Sequence, residues 1–213
     1  MSAATDRDTA LLCHPMVPPL TVAMAAALLD HSDTEAARLL AGLEQAGSMR
    51  RTRHGVWKPA GRRPVRPLDL ADLLSGLARV ADHLNGCALE HNAAVEQAWG
   101  RGDPDEAGRA FAEALDWFDA RPHADALLRC APAIADEEHF RRIVIEAAEE
   151  WAHYLTVAGR WQDAAHLATA GLRAAERRNC AASADRCRNS LAYAYWAGGD
   201  DDSAEQALGF NDP

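Results

Sequence analysis

The chain has 213 residues, 48% of them apolar and 25% charged, with a formal net charge of -10, a pI near 5.3 and a mean hydropathy of -0.29. These values describe a globular protein of one to two domains, long enough to bury a full core without staples. They exclude a membrane span, since no apolar run approaches the ~20 residues required, and a chain built mainly to coat nucleic acid or an anionic membrane, whose phosphates the global field repels.

The opening residues, MSAATDRDTA, are polar and carry two aspartates; they lack the basic and apolar regions of a secretory signal, so a cytoplasmic location is expected. Cys13, Cys87, Cys130, Cys180 and Cys187 are odd in number, with no CxxC pair. Reduced thiols on helix faces are expected rather than a disulfide framework.

Ala, Leu, Arg and Glu dominate, so the predicted fold class is all-α. A first helix is expected over residues 5 to 13, stopped by the prolines of HPMVPPL. Thr21 caps a second, TVAMAAALLD. Ser32 and Glu35 form a capping box for a third, with Ala36, Leu39, Leu40 and Leu43 on one face and Gly47 closing it. Met49 to Arg53 and Gly55 to Lys58 then read as two short strands turning at His54 and Gly55. Three helices and a hairpin are the parts of a winged helix, placed at residues 8 to 66.

A long amphipathic helix follows within residues 67 to 100, with Leu70, Leu73, Leu77, Val80, Leu84 and Cys87 on its stripe, and is expected to act as a linker. From 101 to 213 the chain reads as a helical-repeat domain. GRGDP is a turn, Pro122 separates two helices, and a strong helix is expected over 137 to 158 with Phe140, Val144, Ala148, Trp151 and Leu155 facing a core. Aligning Gly159 with Gly199 puts Ala164 on Ala204, 40 positions apart, a spacing typical of stacked supersecondary units. Leu191, Ala192, Tyr195, Gly199, Ala204 and Leu208 fall at the spacings of a tetratricopeptide repeat.

The segment TVAMAAALLDHSDTEAARLLAGLEQAGSM with its short wing resembles the winged helix that follows the nucleotide-binding core of actinobacterial STAND-type regulators, the AfsR-like and NB-ARC-like signalling proteins. EALDWFDARPHADALL and AGRWQDAAHLATAGLRAA resemble the helical segment and first repeats after it. The likeness spans roughly residues 10 to 210, with Trp117, Phe118, Gly159, Trp161 and Ala164 as fixed points. It implies the sensor and interaction portion of a regulator. The chain contains no GxxxxGK[ST], and its single lysine, Lys58, lies in the wing, so neither nucleotide hydrolysis nor a cofactor is expected.

The sharpest local feature is the basic wing: Arg50, Arg51, Arg53, Lys58, Arg62, Arg63 and Arg66 occur within RRTRHGVWKPAGRRPVR without an acidic residue. Such a cluster neutralises phosphates or meets an acidic protein surface, including this chain's own acidic repeat. The would-be recognition helix argues against DNA, since Asp33, Glu35 and Glu44 outnumber Arg38 where a groove-reading helix is normally basic.

His83, Cys87 and His91 share one helix face, but the outer pair is ~12 Å apart along the axis, too far for one ion; a buried thiol is the simpler reading. Glu150 and His153 make a single E-x-x-H step where a di-iron bundle needs two. Cys180 and Cys187 are two turns apart, so free thiols are expected. No GxSxG or comparable nucleophile context occurs, and no catalytic or metal residues are assigned.

In the repeats, Trp151, Trp161 and Tyr195 read as seam filling, and Tyr154, Arg188 and Tyr193 as candidates for lining a groove that takes a partner protein or effector. The acidic GGDDDSAE favours cationic ligands. The expected function is a non-catalytic regulatory protein that recognises a partner through its repeats, with stand-alone DNA binding through the wing and small-molecule binding in the groove as the alternatives. An apolar end after the last repeat helix suggests homodimerisation.

Overall fold

The computed structural model describes residues 3–61 and 68–209. Arg62, Arg63 and Arg66 of the basic segment lie outside the described residues.

Local chemistry sets the first elements. Helix α1 (Ala3–Leu12) ends before the proline cluster. Helix α2 (Val22–Leu29) starts where the Thr21 hydroxyl accepts from the Met24 N–H, and stops at Asp30, which is left-handed at φ 60°. Arg79 then reaches back from a later helix, donating to the Ala27 and Leu28 carbonyls at the α2 C-terminus. Helix α3 (Asp33–Gln45) carries the full Ser32/Glu35 capping box and buries Ala36, Leu40 and Leu43.

Strands β1 (Met49–Arg51) and β2 (Trp57–Pro59) pair antiparallel, Arg50 opposite Lys58. A third extended segment joins them: Leu20 and Trp57 exchange two backbone hydrogen bonds of 2.8 and 2.9 Å. Residues just before α2 are thereby stitched to the hairpin that follows α3. Met49 and Trp57 point from the ribbon into the core shared with Leu20, Met24 and Leu40.

Helix α4 (Leu70–Gly100), capped by Asp69, is 31 residues long and is a spine rather than a free linker. One part packs on α2, and the rest packs on helices α5 (Pro104–Asp119), α6 (Arg121–Ile134) and α7 (Arg141–Val157). Leu73, Leu77, Val80 and Leu84 are buried as their spacing requires, whereas Leu70, in the first turn, is 62% exposed because it lies before the contact with α2 begins. The chain does change helix at this point: α5 ends at Asp119 and α6 starts at Arg121, with Pro122 in the first turn of α6, where its missing N–H costs nothing. A single 3-10 turn over Glu138–Phe140 precedes α7, so that helix begins at 141 instead of 137. One continuous core runs from Leu11 to Ala194.

Beyond α7 the chain repeats itself. Helices α8 (Trp161–Arg177) and α9 (Ala181–Ala197) have 17 residues each, as α7 does, and α10 (Asp201–Ala207) closes the described chain. The three connecting turns share one hydrogen-bond scheme. Arg160, Cys180 and Asp200 donate their N–H groups to Leu155, Ala175 and Tyr195; Ala164, Ala184 and Ala204 donate to Arg160, Cys180 and Asp200. The middle residue is left-handed each time, Gly159 at φ 77°, Asn179 at 54° and Gly199 at 78°. The 40-residue spacing seen in the sequence is therefore two steps of 20.

Close approach between these helices depends on small residues. A Cβ added to Gly171 would lie 2.3 Å from the Ala148 Cβ and 3.0 Å from the Cys187 Sγ, so α7, α8 and α9 meet at a point only hydrogen can occupy. No helix among the described residues is long and apolar enough to cross a membrane.

Candidate functional site

The hairpin displays its cations outward. Arg50, Arg51 and Arg53 are exposed and Lys58 is half-buried. Arg51 lies over the Trp57 indole, 5.8 Å from its centroid, and its backbone N–H donates to Glu44. Arg53 donates to His54. Arg50 and Lys58 face one another across the ribbon, a like-charge pair that costs stability until an anion meets it. Beside the hairpin, a cleft of about 540 Å³ is lined by Pro19, Thr52, His54, Lys58, Pro122 and Asp125. Asp125 is not a free counter-charge, because Arg160 binds it at 3.2 Å and Asp163 at 2.8 Å.

The three groove candidates separate. Tyr154 is 6% exposed; its ring stacks on Phe118 at 3.9 Å and 10° and reaches Phe111 at 5.7 Å, so it belongs to the core and lines no open surface. Arg188 bridges α8 and α9, donating to Glu176 and Asp185 at 2.9 Å each, and is absent from the lining of the hollow at this end of the molecule. Tyr193 is exposed and stands in a ring series, 5.9 Å from His153 and 6.1 Å from Trp196.

Tyr193 and Trp196 open onto a hollow of about 630 Å³ between α9 and α10, floored by Ala192 and Ala204 and rimmed by Asp201, Glu205 and Leu208. Trp196 is 64% exposed and Leu208 42%. From sequence, Trp196 reads as seam filling and Leu208 as a repeat position, and neither is assigned to a groove. The signal was in the register: Ala192 and Tyr195 occupy seam positions, which turns Tyr193 and Trp196, three apart, onto the neighbouring outward face.

The metal-like spacings resolve into packing. His83 Nε2 lies 4.0 Å from Cys87 Sγ, while His91 stacks on Trp117 at 4.7 Å. His123 stacks on the same indole at 4.9 Å, and burial holds its imidazole below the ordinary range. Glu150 accepts a hydrogen bond from Asn92, and His153 packs on Tyr193. Among the described residues no group of three or more His, Cys, Asp or Glu side chains is placed to hold a metal ion. Burial pushes the Cys130 and Cys187 thiols up to about 12, which makes them poor nucleophiles. Cys180 is the residue that precedes α9 and Cys187 lies buried within that helix, and both are free thiols.

No protein-family model, curated protein or solved structure matches the chain.

Proposed function

We propose that the chain is a non-catalytic interaction protein of a signalling or transcription-control pathway: a winged-helix-like module joined through α4 to a TPR-like helical repeat that recognises a partner protein. The observation that carries this reading is the α9–α10 hollow. Its exposed Tyr193, Trp196 and Leu208 give an apolar centre, and Asp201 and Glu205 an acidic rim. Clustered amphipathic aromatics around a desolvated floor are the usual anchors of protein recognition. The fitting partner segment carries an apolar side chain flanked by basic residues. The order of three helices and a ribbon, with Leu20 acting as a third strand, supports the resemblance to the winged-helix portion of STAND-type regulators.

The test is affinity capture with the full chain, comparing the parent with Tyr193→Ala/Trp196→Ala. Both side chains are exposed, so the fold should persist. Loss of the captured partner in the folded variant is the expected result, and unchanged capture counts against the reading.

The second reading, DNA binding through the hairpin, is favoured by one observation, the cations Arg50 and Lys58 set opposite each other on the ribbon. Anisotropy of a labelled duplex titrated at several salt concentrations, against Arg50→Ala/Arg51→Ala/Arg53→Ala, separates the two. Binding that weakens steeply with salt and vanishes in the variant selects DNA; no binding at low salt leaves the ribbon as a protein-docking surface.

A further inference from the structure

A second hollow lies where helices α6 and α8 meet. The hollow between them, about 550 Å³, runs along α8 from Trp161 to Arg177, with the C-terminal end of α6 on one side and Tyr195 at its aromatic end. The stripe is Trp161, Ala165, Thr169, Arg173 and Arg177, spaced by four, so successive members neighbour one another and the stripe winds around α8 by ~40° per step. From Trp161 to Arg177 the helix rises ~24 Å, the length of about seven residues of extended chain at ~3.3 Å each.

The two ends differ in chemistry. At the Trp161 end the wall is apolar: the indole lies against Gly198 so closely that a Cβ there would come within 2.7 Å of it. The middle is floored by the buried Ala165 and Ala170, with Gln162 and His166 offering polar atoms above them. At the far end, Arg141, Arg173 and Arg177 act together on the one carboxylate of Asp136, which they hold below the usual carboxylate range, Arg177 by a direct hydrogen bond. Asp136 is 85% exposed and so is weakly seated. Glu137 and Glu138 lie outside the hollow's lining. The buried Arg141 Nε has no hydrogen-bond partner.

Arg173 and Arg177 line this end of the hollow against one exposed carboxylate, Asp136, which leaves a local excess of positive charge on a chain whose net charge is -10. Like charges held this close are relieved by an incoming anion, and Asp136 occupies the place such an anion would take.

We propose that the α6–α8 groove binds an extended acidic peptide segment of a partner protein, its carboxylates on Arg173 and Arg177 and an apolar side chain against Trp161 and Tyr195. The elongated shape selects a peptide over a compact anion, since the arginines and the aromatic wall are too far apart for one small ion to use both. This site does not overlap the α9–α10 hollow: Tyr195 lines the groove and Tyr193 the hollow.

A random heptapeptide library panned on the full chain tests it. The expected outcome is enrichment of Asp and Glu together with one aromatic or aliphatic residue toward the opposite end. A labelled peptide of the enriched sequence should bind at least tenfold more weakly to Arg173→Glu/Arg177→Glu and lose affinity as salt rises. Arg173→Ala, which leaves the Asp136 to Arg177 contact intact, should weaken binding in the same direction and covers the case in which the double reversal fails to fold. Trp196→Ala should bind the peptide as the parent does. Absence of acidic enrichment, equal binding to Arg173→Ala, or displacement of the peptide by inorganic phosphate at equimolar concentration would each overturn the proposal, the last by showing a small-anion site.

Discussion

The indole of Trp161 rests on the backbone of Gly198, with Cδ2 and Cε3 where a Cβ would be 2.7 Å away. Trp161 opens α8 just after the first of the three equivalent turns, and Gly198 opens the third. This ring-on-turn contact therefore locks one helical pair to the next. Position 201, a 40-residue step after Trp161, is Asp201, so the aromatic lock is made at one step and not at the next.

That contact sets an order of costs. Gly198→Ala drives a methyl group into a ring that can swing aside, at about 1 to 3 kcal/mol, the usual range for overpacking. Gly171→Ala has no such escape, because its nearest neighbour is the Ala148 Cβ itself, and should lie at or beyond the top of that range. Urea denaturation of both variants, with the indole fluorescence of Gly198→Ala red-shifted, checks the order; equal losses would refute it.

His31 Nε2 lies 3.0 Å from the Asp8 carboxylate, and Asp8 is buried. This hydrogen bond raises the His31 imidazole above its ordinary value of ~6.5, against a smaller opposing effect of burial. The folded state binds the extra proton, so the stabilisation is fully present below ~6.5 and disappears as pH rises through the folded value. His31→Gln should flatten the stability profile across that window, as read by melting temperature at half-unit steps of pH.

Glu150 has the opposite consequence for its charged form. Burial raises its carboxyl group, Glu149, Glu96 and Glu146 add to the rise, and the Asn92 amide that donates to it opposes them. A raised acid favours folding below its unfolded value of ~4.3 and loses that contribution as pH climbs through the folded value. Glu150→Gln should therefore be more stable than the parent at pH 7, with the gap closing as pH falls toward 4. A variant less stable at pH 7 would refute this.

Cys180 is the exposed thiol of the five, hydrogen-bonded to Ser183, which holds it below the ordinary cysteine range. Thiol-reactive reagent should modify Cys180 first and leave Cys130 and Cys187 unlabelled in the folded chain, with Cys13 and Cys87 intermediate. Mass spectrometry of a timed labelling series reads the order directly.

Asn179 adopts the left-handed conformation that glycine takes in the two sister turns. Asn179→Gly should be near neutral. A β-branched Asn179→Val should cost roughly 1 to 2 kcal/mol for the same φ, measured by thermal melting of the pair.

Where chemistry is local, the sequence was readable. Thr21, the Ser32/Glu35 box and the left-handed glycines at 47, 159 and 199 announce their own turns, and the helix boundaries fall within a few residues of them. The middle turn escaped notice because Asn179 stands where its sisters have glycine, although Ala184 keeps the place of Ala164 and Ala204. What depends on distant partners was hidden. Tyr154 looks amphipathic on its own helix, and only Phe118, arriving from α5, fixes it in the core. The Leu20 to Trp57 bridge joins segments separated by two helices, and a lone residue pairing in a proline-rich stretch leaves no periodic trace. The α6–α8 groove was equally invisible, because Arg173 and Arg177 read as a solvated helix face until α6 brings Asp136 beside them.

The uniform 20-residue step also governs how the molecule comes apart. Each helix after α7 is held mainly by helices within two places of it in the chain, so the energy of opening accumulates from the free end inward. Helix α10, seven residues with Ala204 as its buried contact, should exchange its amide hydrogens fastest, α9 next, and α7 and α8 last. The Tyr193 and Trp196 hollow is built on the two layers that fray first, which means that whatever fills it also stitches the end of the stack closed and slows exchange there before anywhere else.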